Sequence, residues 1–169
     1  AIGNASLAEG YYSTAIGHGA EAKDEYTLAA GHGAKALGKQ STAVGLDSRS
    51  TGFGSNAIGN FSLAEGYYST AIGHGAEAKD EYTLAAGHGA KALGKQSTAV
   101  GLDSKSTGFA SNAIGSASKA EGFFSTAVGT EAQAKKEFDL AAGHDAIASG
   151  GESTAVGYRT KANGRASFA

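Results

Sequence analysis

The sequence predicts an all-β fold, a single-stranded parallel β-roll (β-solenoid) built from fourteen-residue coils. Three observations predict it. The triplet of Ala, then Ile, Val or Ala, then Gly recurs every fourteen residues from Ala1-Ile2-Gly3 to Ala155-Val156-Gly157, twelve times without an insertion. Within each repeat, small residues alternate with larger ones at spacing two, the signature of a strand face. The composition suits thin coils better than a conventional core: 27 Gly, no Pro, Met, Trp or Cys, and only seven Phe and seven Tyr.

Numbering each repeat from its Ala gives fourteen columns. Column 1 is always Ala and column 3 always Gly, while column 13 is Ser or Thr except at Asp139. Columns 13, 1 and 3 predict one short strand spanning columns 13–3. Columns 6, 8 and 10, also small, predict a second spanning columns 6–10, with tight bends between. A helix fails, because each Gly would cost it about 1 kcal/mol. The small columns point inward, since so short a coil has room only for Ser, Ala and Gly. Column 10 is Gly except at Asp24, Asp80 and Lys136. An altered bend is expected in those coils, because Asp adopts a left-handed conformation more readily than Lys.

Columns 7 and 9 alternate with the small residues and carry mixed charge, as a wet face does. Coils about 4.8 Å apart would set Glu21 over Lys35, Glu9 over Lys23, Glu65 over Lys79 and Glu121 over Lys135. Such exposed pairs contribute only about 0.2–1 kcal/mol each and chiefly oppose register slips.

Columns 14 and 2 also point outward, yet column 2 holds nine Ile or Val and three Ala, while column 14 is mostly Thr or Asn. Where column 2 shrinks to Ala30, Ala86 and Ala142, column 14 becomes Leu28, Leu84 and Leu140, so the bulk of the stripe is preserved. The stripe comprises Ile2, Ile16, Leu28, Val44, Ile58, Ile72, Leu84, Val100, Ile114, Val128, Leu140 and Val156. Burying a side chain of this size contributes about 1.5–3 kcal/mol, and an uncovered row is an aggregation hazard. Self-association with closed cyclic symmetry is the usual solution. A longer period of 56 is superimposed: residues 57–112 differ from 1–56 only at Phe61, Lys105 and Ala110. No linker interrupts the series, so residues 1–169 read as one array of twelve repeats with no internal boundary.

The segments Ser13-Thr14-Ala15-Ile16-Gly17, Ser69-Thr70-Ala71-Ile72-Gly73 and Ser125-Thr126-Ala127-Val128-Gly129 resemble the head repeats of trimeric autotransporter adhesins, the YadA-like head being the type. The resemblance covers the whole chain. It implies a left-handed roll, a homotrimer joined along the apolar stripe, and display at the Gram-negative cell surface on an outer-membrane-anchored fibre. It further implies non-enzymatic, multivalent binding to extracellular-matrix proteins such as collagen, to host cells or to other bacterial cells. The neck, stalk and anchor of such proteins are missing, so a head fragment is expected. Column 14 departs from the collagen-binding pattern, with Thr, Leu or Asn where that head usually has Val.

Aromatic pairs recur every 56 residues at Tyr11-Tyr12, Tyr67-Tyr68 and Phe123-Phe124, with Tyr26, Tyr82 and Phe138 one coil later. Amphipathic aromatics favour interfaces, so these six paired residues are the candidate ligand-binding set; packing at a bend is the plainer alternative. His18, His32, His74, His88 and His144 all fall in column 4. Neighbouring imidazoles would lie about 5 Å apart, but no third ligand column completes a metal site. The formal charge of −2 offers no field for nucleic acid. No apolar run reaches the roughly 20 residues of a membrane helix. No cofactor fingerprint or activated nucleophile appears, and no direct membrane contact is expected. Asn4-Ala5-Ser6 and Asn60-Phe61-Ser62 fit a glycosylation pattern, but their Ser lies in an inward column. Two other readings are an ice- or surface-binding solenoid, suggested by Thr14, Thr42 and Thr70 on alternate coils, and a purely structural spacer.

Overall fold

A computed structural model describes all residues from Ala1 to Ala169. The chain divides into two compact units, Ala1–Ala86 and Gly87–Ala169.

In the first unit, the strands Thr14–Ile16, Leu28–Ala30, Thr42–Val44, Asn56–Ile58, Thr70–Ile72 and Leu84–Ala86 pair in parallel, each with the strand fourteen residues on. The strands Leu7–Ala8, Glu21–Ala22, Lys35–Ala36, Arg49–Ser50, Leu63–Ala64 and Glu77–Ala78 form a second parallel ladder. The second unit repeats the plan. Its first sheet runs from Thr98–Val100 to Thr154–Val156, and its second from Lys91–Ala92 to Lys161–Ala162. The fold is therefore an all-β parallel solenoid with fourteen-residue coils in unbroken register within each unit.

The strands are shorter than the five-residue segments that alternation suggests, three residues in one sheet and two in the other. Backbone geometry explains the truncation. Column 3 glycines such as Gly17 take φ 126°, which ends the first strand. Columns 5 and 12 take the left-handed conformation, as at Asp47 (φ 49°) and Tyr12 (φ 56°). Each bend is closed by a short backbone hydrogen bond to the preceding coil, as from Tyr26 N to the Tyr11 carbonyl at 2.8 Å.

The interior is made of the smallest side chains. Ala15, Ala22, Ala29 and Ala36 are wholly buried in the first unit, as are Ala120, Ala127, Ala134 and Ala141 in the second. Some serine hydroxyls inside the coil turn back onto their own chain, whereas those of Ser41, Ser69 and Ser97 are buried without a hydrogen-bond partner. Ser125 Oγ donates to the Gly122 carbonyl at 2.7 Å, and Ser50 and Ser55 share a hydrogen bond of 2.6 Å. Asp139, the exception in column 13, is also buried and fully engaged. Its carboxylate accepts from Lys136 N at 2.8 Å, Gly151 N and Ser153 N at 3.0 Å, and Ser153 Oγ at 2.7 Å.

Column 10 requires a correction. None of its residues has positive φ, so the bend is not left-handed there and Asp24, Asp80 and Lys136 pose no such problem. Glycine recurs in this column because the coils approach closely: a Cβ at Gly38 would meet the Thr51 carbonyl oxygen at 2.5 Å. In the exceptional coils the substituents are tied back locally. Asp24 Oδ1 accepts from Glu25 N at 2.7 Å, and Asp80 Oδ1 from Glu81 N at 2.8 Å.

Candidate functional site

Alternation places columns 14 and 2 on the outer surface of the first sheet, and side-chain exposure agrees. Ile16 is 43% exposed, Ile72 44% and Val128 39%, while the alanines between them and the interior are wholly buried. Ile2, Leu28, Ile58, Ile114 and Val156 are exposed as well, and Val44, Leu84, Val100 and Leu140 are half-buried. Within each unit these side chains follow one another in register, as at Asn56, Thr70 and Leu84 beside Ile58, Ile72 and Ala86. Leu84 above Thr70 compensates for Ala86 above Ile72, so the stripe keeps its volume as the sequence suggests.

The aromatic residues gather at the bend formed by columns 11 and 12. In the first unit Tyr11 and Tyr12 pack edge to face at 4.3 Å, and Tyr26 stacks on Tyr12 at 5.4 Å. A larger group follows: Phe53 stacks on Tyr67 at 5.3 Å, Tyr68 abuts Tyr67 at 4.6 Å, and Tyr82 stacks on Tyr68 at 6.1 Å. The second unit repeats this cluster with Phe109, Phe123, Phe124 and Phe138. All six candidate ligand residues are exposed, so the rings stabilise one another without being hidden. Crowding removes water from the Tyr67 phenol and, with Tyr68 and Tyr82 beside it, raises its pKa. Tyr68 and Phe124 also sit at φ 50° and 51°, a costly conformation for a bulky residue.

Two of the column-4 histidines stack on one another. The rings of His18 and His32 lie 4.9 Å apart and nearly parallel, at 12°. His144 leans on Tyr158 at 5.4 Å and approaches Asp145 at 3.4 Å. Nowhere do three or more His, Cys, Asp or Glu side chains gather as a metal centre would require.

The outer face of the second sheet carries the charges. Lys35 Nζ meets Glu21 at 2.8 Å across adjacent coils, as register predicts. Lys23 and Lys79 behave differently from expectation: each turns to the glutamate two residues earlier, Lys23 to Glu21 at 3.0 Å and Lys79 to Glu77 at 3.1 Å, and neither bridges Glu9 or Glu65. Same-strand neighbours at spacing two share a face, so register alone does not choose a long side chain's partner. Glu121 and Lys135 form no ion pair either. The two lysines beside Glu21 hold its carboxyl below the ordinary glutamate value. On this face, columns 7 and 9 of the first unit hold four cations (Lys23, Lys35, Arg49, Lys79) matched by four glutamates (Glu9, Glu21, Glu65, Glu77). The same columns of the second unit hold five lysines and one acid, Glu121.

Together these features define a short-coil parallel β-solenoid, closed inside and presenting apolar, aromatic and charged rows outside. The chain belongs to the YadA head repeat family: the model described as "YadA head domain repeat (2 copies)" matches residues 1–20, 22–48, 50–76, 78–104, 106–132, 120–147, 134–160 and 148–169. Among solved structures it is similar to the collagen-binding domain of the Yersinia adhesin YadA, with 29% sequence identity and a TM-score of 0.60 over 80% of this chain and 68% of that one. No curated protein sequence matches. Family and fold are those of an adhesin head, a class displayed on the bacterial surface. No helix is long and apolar enough to cross a membrane.

Proposed function

We propose that this chain is a non-enzymatic adhesin head that works as a left-handed homotrimer. Three copies join along the stripe from Ile2 to Val156, and the assembly binds an extracellular-matrix protein, a host cell or another bacterial cell by many weak contacts. The observation that carries this reading is the uncovered apolar row of Ile16, Ile72 and Val128 on an interior that holds only Ala, Ser and Gly. So thin a core has little apolar area of its own, and covering the row supplies what is missing. The solved head of similar sequence comes from a collagen-binding domain, which makes collagen the first ligand to try.

The aromatic clusters are the proposed contact points. Tyr11, Tyr12, Tyr67, Tyr68, Phe123 and Phe124 are exposed and mutually braced. Repetition along a chain and across copies converts weak sites into avidity.

Sedimentation equilibrium tests the assembly: the expected mass is three times 16.7 kDa. Ile72→Asp together with Val128→Asp should dissociate it. A folded monomer from the unaltered chain overturns the reading. Solid-phase binding of the trimer to collagen, fibronectin and laminin, with Tyr67→Ala and Phe123→Ala in parallel, tests the contact points.

A further inference from the structure

The second sheet turns its outer face away from the stripe, so self-association along the stripe leaves it free. In the second unit this face has a charge pattern that structural needs do not account for. Lys105 and Lys119 stand directly opposite one another in adjacent strands, a like-charge placement that weakens a ladder. Both are exposed, and neither forms an ion pair. Lys135 and Lys161, farther along the same face, are also exposed and unpaired. In the first unit, by contrast, Arg49 stands opposite Leu63, and Lys35, although opposite Arg49, is neutralised by Glu21. The acids two residues from Lys105, Lys119 and Lys135, namely Asp103, Glu121 and Glu137, make no ion pair with any lysine of the row.

We propose that this face of residues 87–169 binds a linear anionic polysaccharide, a glycan bearing sulfate or carboxylate groups. The cation row fixes the sign of the ligand through charge complementarity. The residues between the lysines fix its class. Thr107, Gln133 and Ser149 are uncharged hydrogen-bonding groups suited to sugar hydroxyls, and columns 7 and 9 of this unit hold no aromatic ring on which a nucleobase could stack. A net charge of −2 for the chain confines the attraction to this face and opposes the broad field that duplex nucleic acid requires. The inference extends the adhesive reading by naming a partner class, and it does not depend on three-fold assembly.

The test uses the full 169-residue chain and heparin oligosaccharide as the ligand, measured by titration calorimetry. Binding is expected, weakening as salt rises from about 0.1 to 1 M and screening shortens. Changing Lys105, Lys119 and Lys135 together to Gln should lower affinity about tenfold, from three exposed charge contacts. Changing Lys35 and Arg49 to Gln should alter it less than about twofold, because that region is charge-balanced. Neutral dextran should not bind. Hyaluronan separates the two anion sources: weaker binding than heparin assigns the row to sulfate, equal binding to carboxylate. Absence of heparin binding, an unaffected triple lysine variant, an equal loss in the first-unit variant, or equal competition by single-stranded DNA would each overturn the proposal. Thermal unfolding of each variant should match the parent. A trimer that ignores heparin sinks this inference alone, whereas a monomer that binds heparin through these lysines sinks only the assembly.

Discussion

Gly17 lies directly against Gly31: a Cβ at Gly17 would come within 2.5 Å of the Gly31 carbonyl oxygen, on a backbone already at φ 126°. Two independent penalties therefore fall on one methyl group. Gly17→Ala should cost about 3 kcal/mol, from backbone strain and a clash that only coil separation relieves. Thermal unfolding should shift down by about 6–12 °C. Gly19, two residues away, has φ 64° but open space where its Cβ would go. Gly19→Ala should cost only about 1 kcal/mol. Equal effects at the two sites would refute the close-approach argument.

Asp139 gives a second contrast. Removing its carboxylate leaves the buried amides of Gly151 and Ser153 without acceptors. Asp139→Ala is expected to destabilise the chain by about 2–4 kcal/mol, since each orphaned amide costs roughly 1–3 kcal/mol. Urea unfolding followed by circular dichroism measures it; a change below 1 kcal/mol would be too small for the four bonds described.

Glu21 supplies the pH dependence. Hydrogen bonds from Lys35 and then Lys23 favour its ionised form and lower its pKa below 4.5. A depressed folded-state value means that the stabilisation is complete above the unfolded pKa and is lost as pH falls through the folded one. The effect should thus appear only below about pH 4.5 and amount to less than about 1 kcal/mol for so exposed a pair. Carboxyl NMR titration should place Glu21 below the ordinary glutamate value, and Lys35→Met should move it back up.

Gln40 occupies column 12 at φ 60°, where the next coil carries Gly54 at φ 63°. Exposed and without ring contacts, it bears left-handed strain with no compensating stack. Gln40→Gly should be neutral to stabilising, by up to about 1 kcal/mol, because relief of strain outweighs the entropy lost by glycine. A lower unfolding temperature would contradict this.

The sequence revealed most of the architecture because its signals came in pairs. Small residues at spacing two and branched residues between them sorted inside from outside, and Leu84 appearing with Ala86 marked the stripe as one surface. Column 10 misled for a physical reason. Glycine recurs both where φ is positive and where another backbone comes close, and the letters do not separate the two. Columns 5 and 12, the left-handed ones, mix Gly19, Gly33 and Asp47, which suit that conformation, with Phe61, Tyr12 and Gln40, which do not, so the residue types gave only a diluted signal. The choice of Lys23 for Glu21 over Glu9 depends on side-chain conformation, which periodicity does not encode. The aromatic groups were legible as pairs but not as four-ring clusters, because Phe53 and Phe109 join them only once the bend is formed.

The glycine-on-carbonyl ladder also constrains how such a head can evolve. Loss or gain of a single codon would send every later alanine outward and swing the following glycines out of alignment. Copying errors in whole multiples of fourteen leave each new coil seated on the last. Heritable variation in length is consequently stepwise, and the near-identical 56-residue halves at the start of the chain have the form that one such duplication leaves behind.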